Sequence, residues 1–243
     1  MSIFARIEEL VSSAEGYHTF RGYLVGPDDP RPSFPSSALL DDTTKARIHA
    51  RFAERFSRFD SRATLSIWMK WHLNTILPPL LLADIMLHWQ LPLGFPDVRF
   101  IRADDARTAA MKCTDEGAPS PADDPFRRFA PLVFDHLEPL VALLHARSGL
   151  TRRVLWSNIG NTFEAMLRRI EQTSGPSPRL ASADELLKAP RWADGRANPL
   201  QGAVHYSGDP PLRLRKVCCL QYRLPDRRYC AACPVEREDT HAA

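Results

Sequence analysis

No stretch of this 243-residue chain is apolar for the roughly 20 residues that a membrane-spanning helix needs. Its main apolar run, Ile76 to Leu87, is interrupted by Pro78, Pro79 and Asp84. A transmembrane segment is therefore not expected. Charge of one sign is not in excess either. The 32 Lys and Arg against 29 Asp and Glu leave a net charge of +3, too little for the concentrated basic face that nucleic acid requires. Glycine never clusters into a phosphate loop behind a strand, so no nicotinamide or flavin domain is expected. No repeat of solenoid period occurs. The first residues, M-S-I-F-A-R-I-E-E-L, contain acidic side chains and no apolar core of signal-peptide length, so export is not expected.

Cysteine is also scarce, but its distribution is uneven. Of the five cysteines, Cys218, Cys219, Cys230 and Cys233 fall in one segment with spacing C-C-x10-C-x2-C. A chain kept in a reducing compartment seldom holds structural disulfides, which leaves zinc or an iron–sulfur cluster as the use for four thiolates. Zinc usually takes two C-x2-C knuckles. Only Cys230 and Cys233 form one. The adjacent pair would need a bent backbone to converge on a single ion, because neighbouring side chains of an extended segment point to opposite faces. Two metal centres relax that demand, and Pro234 follows the last cysteine as in the ferredoxin run ending C-P. Arg213, Arg215, Lys216, Arg223, Arg227 and Arg228 surround the motif against Asp226 alone. Such cations favour a negatively charged cluster and raise its potential, or they only keep the segment soluble.

The rest of the chain reads as helix with a little sheet. Amphipathic periodicity predicts helices over Ile3 to Ala14, Thr43 to Phe59, Leu65 to Trp89 (bent at Pro78–Pro79), Phe126 to Arg147 (kinked at Pro139, stopped by Gly149) and Thr151 to Gln172. Ser182 and Glu185 form a capping box for a short helix to Lys188. Val98 to Ile101 and Thr108 to Cys113 are set to pair as a hairpin. Gly26 to Pro35 and Glu116 to Pro125 read as loops, and Arg213 to Leu224 as a strand broken at the cysteine pair. The expected fold is a predominantly helical α+β domain spanning 1–243, with a small β-sheet and a C-terminal cluster loop over 212–235. Cys113 reads as a core thiol or a surface bystander, and His72 and His88, sixteen residues apart, as core or surface groups rather than a metal pair. His18 and His205 lie in irregular stretches where a substrate role stays open. Glu164 and Asp184 show no partner in sequence.

R-K-V-C-C-L-Q-Y-R-L-P followed by Y-C-A-A-C-P resembles the C-terminal signature of the FhuF-type ferric-siderophore reductases. V-L-W-S-N-I-G matches that family's W-x-N element at Trp156 and Asn158, and S-I-W-M-K-W-H-L-N resembles its Trp- and Leu-rich helix. The resemblance implies a [2Fe–2S] cluster on Cys218, Cys219, Cys230 and Cys233, and one-electron reduction of ferric iron in a hydroxamate siderophore. It further implies an external donor such as a ferredoxin or a flavin-dependent reductase. The expected location is the cytoplasm, with peripheral contact at the inner face of the cell membrane left open. Trp156, Asn158, Arg215, Tyr222 and Arg223 are the residues expected to wall the substrate pocket. The alternative is a zinc-stapled or iron–sulfur interaction or electron-transfer protein without reductase activity.

Overall fold

A computed structural model describes residues 1–54, 60–120, 124–225 and 228–235. Helix α1 (Ile3–Ser13) starts behind Ser2, whose hydroxyl accepts the Ala5 amide, and buries Ile3, Ile7 and Val11. Two short strands follow, β1 (Leu24–Val25) and β2 (Ser33–Pro35). The expected loop over Gly26 to Pro35 thus ends in a strand. Its polar, Pro-rich sequence hides this because β2 pairs along one edge only, with Phe34 opposite Phe100. Helix α2 (Asp42–Ala53) comes next. The remainder of the helix expected to reach Phe59, including Phe56, lies outside the described residues.

Helix α3 (Ser61–Leu87) is the spine of the molecule. Asp60 caps it by accepting the Arg62 and Ala63 amides, and His88 closes it in the left-handed conformation at φ 52°. Pro78 and Pro79 both sit inside it. Each removes one amide donor, yet the helix continues because Leu73, Ile76, Leu77, Leu81 and Leu82 are fully covered by the core. After β3 (Trp89–Gln90) the expected hairpin forms as β4 (Arg99–Arg102) and β5 (Thr108–Lys112). The main sheet has the order β1-β5-β4-β2, with β1 parallel to β5 and the other pairs antiparallel. A short β6 (Ala118–Pro119) pairs with β3 inside the expected acidic loop, part of which (121–123) lies outside the described residues.

The helix expected over Phe126 to Arg147 is three helical pieces in series: α4 (Pro125–Ala130), a π-helical stretch over Pro131–Leu137, and α5 (Glu138–Ser148). Pro131 and Pro139 explain the change of winding, since neither can donate to the preceding turn. Gly149 ends the series at φ 68°. By length and apolar composition Pro125–Ser148 could cross a membrane. Here Leu132, Val133, Leu137, Leu140 and Val141 are core residues. Helix α6 (Arg152–Ser174) is capped by Thr151, and α7 (Pro178–Lys188) by Ser177 with Pro178 in its first turn. The capping box at Ser182 is therefore misplaced. Ser182 lies inside α7, donating to the Arg179 carbonyl and accepting from Arg128.

One buried ionic knot ties these helices together. Asp84 of α3 accepts from Arg128 of α4 at 3.1 Å and from Arg179 of α7 at 3.1 Å, and all three are buried. Burying such a group is costly unless every charge is matched. Asp84→Asn keeps the shape and removes the counter-charge of two buried guanidinium groups. It is expected to lower stability by about 3–5 kcal/mol, read from the midpoint of chemical denaturation. A loss below ~1 kcal/mol would show that this knot does not hold α4 and α7 to the spine.

Candidate metal centre

The C-terminal segment reaches its site through a hairpin, β7 (Val204–Ser207) and β8 (Leu212–Arg215), paired antiparallel with Tyr206 opposite Arg213. Gly160 of α6 lets the hairpin stem lie close. A Cβ at that position would stand 2.3 Å from the Ala203 Cβ. At the end of β8 the Arg215 amide donates to the Ala232 carbonyl at 2.9 Å, which draws the two ends of the cysteine segment together. The bend that adjacent cysteines demand is found directly after them. Leu220 adopts φ 65°, and its amide donates to the Cys218 sulfur at 3.3 Å. A positive φ is unfavourable for leucine, so surrounding contacts must hold it. At the other end the Cys233 amide donates to the Cys230 carbonyl at 3.0 Å, forming the C-x2-C turn.

The four thiols gather as two pairs within hydrogen-bonding reach, Cys219 with Cys230 and Cys218 with Cys233. Cys219 and Cys233 are buried, whereas Cys218 and Cys230 are half-exposed. In the first pair the hydrogen bond from Cys230 brings the Cys219 thiol down to about 5 against the opposing effect of burial, and the charges of Lys70 and Arg215 add to it. The same bond raises Cys230, so negative charge settles on Cys219. Burial raises the Cys218 thiol. Among the described residues no group of three or more His, Cys, Asp or Glu side chains is arranged around a single ion.

Below the thiols lies Arg215, the largest fully buried side chain. Among the described residues it has no carboxylate partner, and its Nε has no hydrogen-bond acceptor. One Nη donates to the Asn158 Oδ1. The Asn158 amide donates in turn to the Ser66 hydroxyl at 3.0 Å, and Ser66 donates to the Cys219 carbonyl at 2.9 Å. Lys70, one turn along α3 from Ser66, places its Nζ 3.9 Å from the Cys219 sulfur and 3.3 Å from the Gln221 amide oxygen. A buried guanidinium without a carboxylate calls for anionic charge beside it. Four thiolates in two pairs meet that demand, and thiolates are the donor set of iron–sulfur clusters. The residues fit a two-iron cluster better than one zinc ion, which would need all four sulfurs to converge.

The expected basic collar divides. Arg215 and Lys70 address the sulfurs. Arg213 is turned away to Glu164, at 2.7 Å, and to Asn161. Arg223 pairs with Asp60 at 2.9 Å, and Lys216 and Arg228 are exposed. Asp226 and Arg227 lie outside the described residues. Glu164, without a partner in sequence, also accepts from Tyr206 at 2.6 Å, and Arg168 joins it to Asp184. Trp156 and Asn158 are both buried, although two positions apart. That is possible because α6 is covered on most sides along Leu155 to Gly160. Tyr222 is exposed and stacks on Tyr229 at 5.3 Å between ring centroids. Cys113 is buried, and burial pushes its thiol up to about 12. His72 is buried against Thr108, and burial holds it neutral with its pKa lowered to about 3. Sequence reasoning missed Lys70 and Ser66. The available signal was a lone lysine within the apolar W-M-K-W turn of α3.

Comparison with known proteins places the chain in a family. Over 180 residues the chain is 26% identical to the ferric siderophore reductase of Escherichia coli (strain K12), covering 73% of this chain and 67% of that protein. Among solved structures, the aerobactin synthetase IucA from a hypervirulent pathotype of Klebsiella pneumoniae superposes with a TM-score of 0.51 at 14% identity. That match covers 66% of this chain but only 35% of the synthetase, and it concerns the fold alone. Residues 66–216 match the family described as ferric iron reductase FhuF-like transporter, and residues 215–234 match the FhuF 2Fe-2S C-terminal domain. The chain belongs to the FhuF-like ferric iron reductase family, and its cofactor is a [2Fe–2S] cluster.

Proposed function

We propose that this protein reduces ferric iron held in a hydroxamate siderophore and so releases Fe²⁺. The observation that carries this reading is the pair of thiol pairs set between the buried Arg215 and Lys70, with Cys218 and Cys230 at the solvent edge. Cys218, Cys219, Cys230 and Cys233 are the residues that would hold the cluster. When bound, the cluster supplies a one-electron carrier. Arg215 and Lys70 stabilise negative charge on these sulfurs, and the Asn158–Ser66 chain fixes the backbone that carries Cys219. Hydroxamates hold Fe³⁺ through hard oxygen donors, and these bind the softer, less charged Fe²⁺ far more weakly. No acid–base dyad is needed for that release.

The electron must come from an external donor, and the surface around the cysteines supports one of acidic character. Apart from Met1, the exposed large apolar side chains among the described residues are Tyr206, Leu212, Tyr222, Tyr229 and Val235, all within the C-terminal segment. Lys216 and Arg228 are exposed among them. An apolar patch with a basic rim suits a transient protein partner steered by charge, such as a ferredoxin or a flavin-dependent reductase. The proposed location is the cytoplasm, where thiols stay reduced.

Three outcomes test this account. Each of Cys218→Ser, Cys219→Ser, Cys230→Ser and Cys233→Ser should lose or severely alter the visible absorption of the anaerobically purified protein, while Cys113→Ser should keep it. A wild-type-like spectrum from any of the four removes that residue as a ligand. Lys70→Gln should lower the midpoint potential in protein-film voltammetry. One partly screened charge at this distance contributes about 1–2 kcal/mol, or roughly 40–90 mV for one electron. Arg213→Gln and Arg223→Gln should change it little, because their charges are matched by Glu164 and Asp60. An equal shift in all three variants would refute this division.

The third outcome is turnover. Pre-reduced protein mixed with a ferric trishydroxamate and a ferrous chelator should reoxidise with one trapped Fe²⁺ per cluster, the trap drawing the reaction forward by mass action. Ferric catecholates should react more slowly. Failure to reoxidise with any hydroxamate complex, trap present, would end the reductase reading.

A further inference from the structure

We infer that the groove between α3 and α6, next to Lys70, is the seat of the ferric chelate, and that it selects an uncharged hydroxamate complex; this rests on the reductase reading above. The two helices run in the same direction. Ser66 meets Asn158, and further along Asn74 and Pro78 face Thr162 and Ala165 across an open recess of about 350 Å³. Asn74 lies about one turn beyond Lys70, and Thr162 about one turn beyond Asn158, a rise of about 6 Å in each case. The recess therefore begins one helical turn from side chains that touch the cysteine loop. Tyr23 and Arg169 also line it.

Its chemistry is specific. Among the described residues, the side chains of Asn74, Tyr23 and Thr162 make no hydrogen bond within the protein, so their donors and acceptors are free for a ligand. No carboxylate lines the recess. Arg169 is fixed at its rim by the Thr19 hydroxyl, at 3.4 Å, and by the Phe20 ring beneath it, at 4.7 Å. Three monoanionic hydroxamates around Fe³⁺ leave a metal core of zero net charge, with oxygen acceptors on its surface and methylene chains between them. Neutral donors, apolar walls and one fixed cation complement that surface. A tris-catecholate complex, with three negative charges, would call for several cations. The other large recesses fit less well. One, on another face of α6, is lined by Glu164 and Asp184 already bound to Arg168. Another, around Arg31, Arg47 and Arg102, contains no residue of α3 or α6.

The test uses the gallium(III) trishydroxamate complex, which has the charge of the ferric complex but takes no electron from the protein. Binding to the cluster-loaded protein is measured by titration calorimetry. Ala165→Trp and Asn74→Trp fill the recess from exposed positions, and Val204→Trp fills the neighbouring one. Wild type and Val204→Trp should bind alike. The two groove variants should bind at least tenfold more weakly, with the visible spectrum and the reoxidation rate by ferricyanide unchanged. Equal binding in all four proteins, weakening by Val204→Trp alone, or no binding by wild type would overturn the assignment. The reductase reading is judged separately. If wild type binds gallium complex in a groove-dependent way yet never reoxidises with the ferric one, that reading fails and the binding site stands. If Ala165→Trp reoxidises with the ferric complex at the wild-type rate, the groove falls and the reductase stands.

Discussion

The buried guanidinium of Arg215 is the constraint around which the metal centre is built. Taking such a charge out of water costs several kcal/mol unless it is paired or well hydrogen-bonded. No carboxylate reaches it among the described residues, and one neutral amide, Asn158, accepts from it. The missing compensation is the negative charge of the cysteine sulfurs. Arg215 therefore suits a loop whose thiols are ionised and ligating, and is poorly accommodated beside four neutral ones. The hydrogen bonds leading from it tie β8 to α6, α6 to α3 and α3 to the cysteine loop. A shift in any of these elements moves the sulfurs.

That arrangement also explains how the remaining charges are used. A ring of arginines in sequence is not a ring of arginines in space. Arg213 spends its donors on Glu164 and Asn161, and Arg223 on Asp60. Both act as struts that hold the hairpin against α6 and the cysteine loop against the start of α3. Electrostatic influence on the sulfurs is left to Arg215 beneath and Lys70 beside. The two sides of the centre then differ in kind. Toward α3 and α6 lies a polar recess, and toward solvent lies an exposed surface of tyrosines and basic residues. Electron entry and electron exit can occupy separate faces.

The likeness in fold to part of an aerobactin synthetase, at 14% identity, concerns the scaffold alone, and a scaffold does not by itself decide the chemistry. In this chain the chemistry resides in a short appended segment, residues 215–234, and in the few scaffold side chains that receive it. Ser66, Lys70, Ser157 and Asn158 are those receivers, with Ser157 donating to the Val217 carbonyl at 3.1 Å.

What was legible in the sequence follows from local physics. The periodicity of α1, α3 and α6, the stop at Gly149 and the β4–β5 hairpin all arise from patterns within a few residues of each other. The cysteine spacing likewise carried its chemistry in plain view, because four thiolates in one segment have few other uses in a reducing compartment. Other features were not local. The strand β2 and the ionic knot at Asp84 depend on partners dozens of residues away, and the true start of α7 at Ser177 overrode a plausible capping box at Ser182. Asn158 looked like a candidate for the pocket wall, and only the structure shows it as the buried link between Arg215 and Ser66. Lys70 looked like an ordinary helix residue and stands beside Cys219. Sequence alone determined the helical class, the thiol ligand set to expect and the family resemblance. Which charges face the sulfurs, and which recess opens beside them, was decided by the tertiary structure, because long-range packing of α3 against α6 and the hairpin sets those distances.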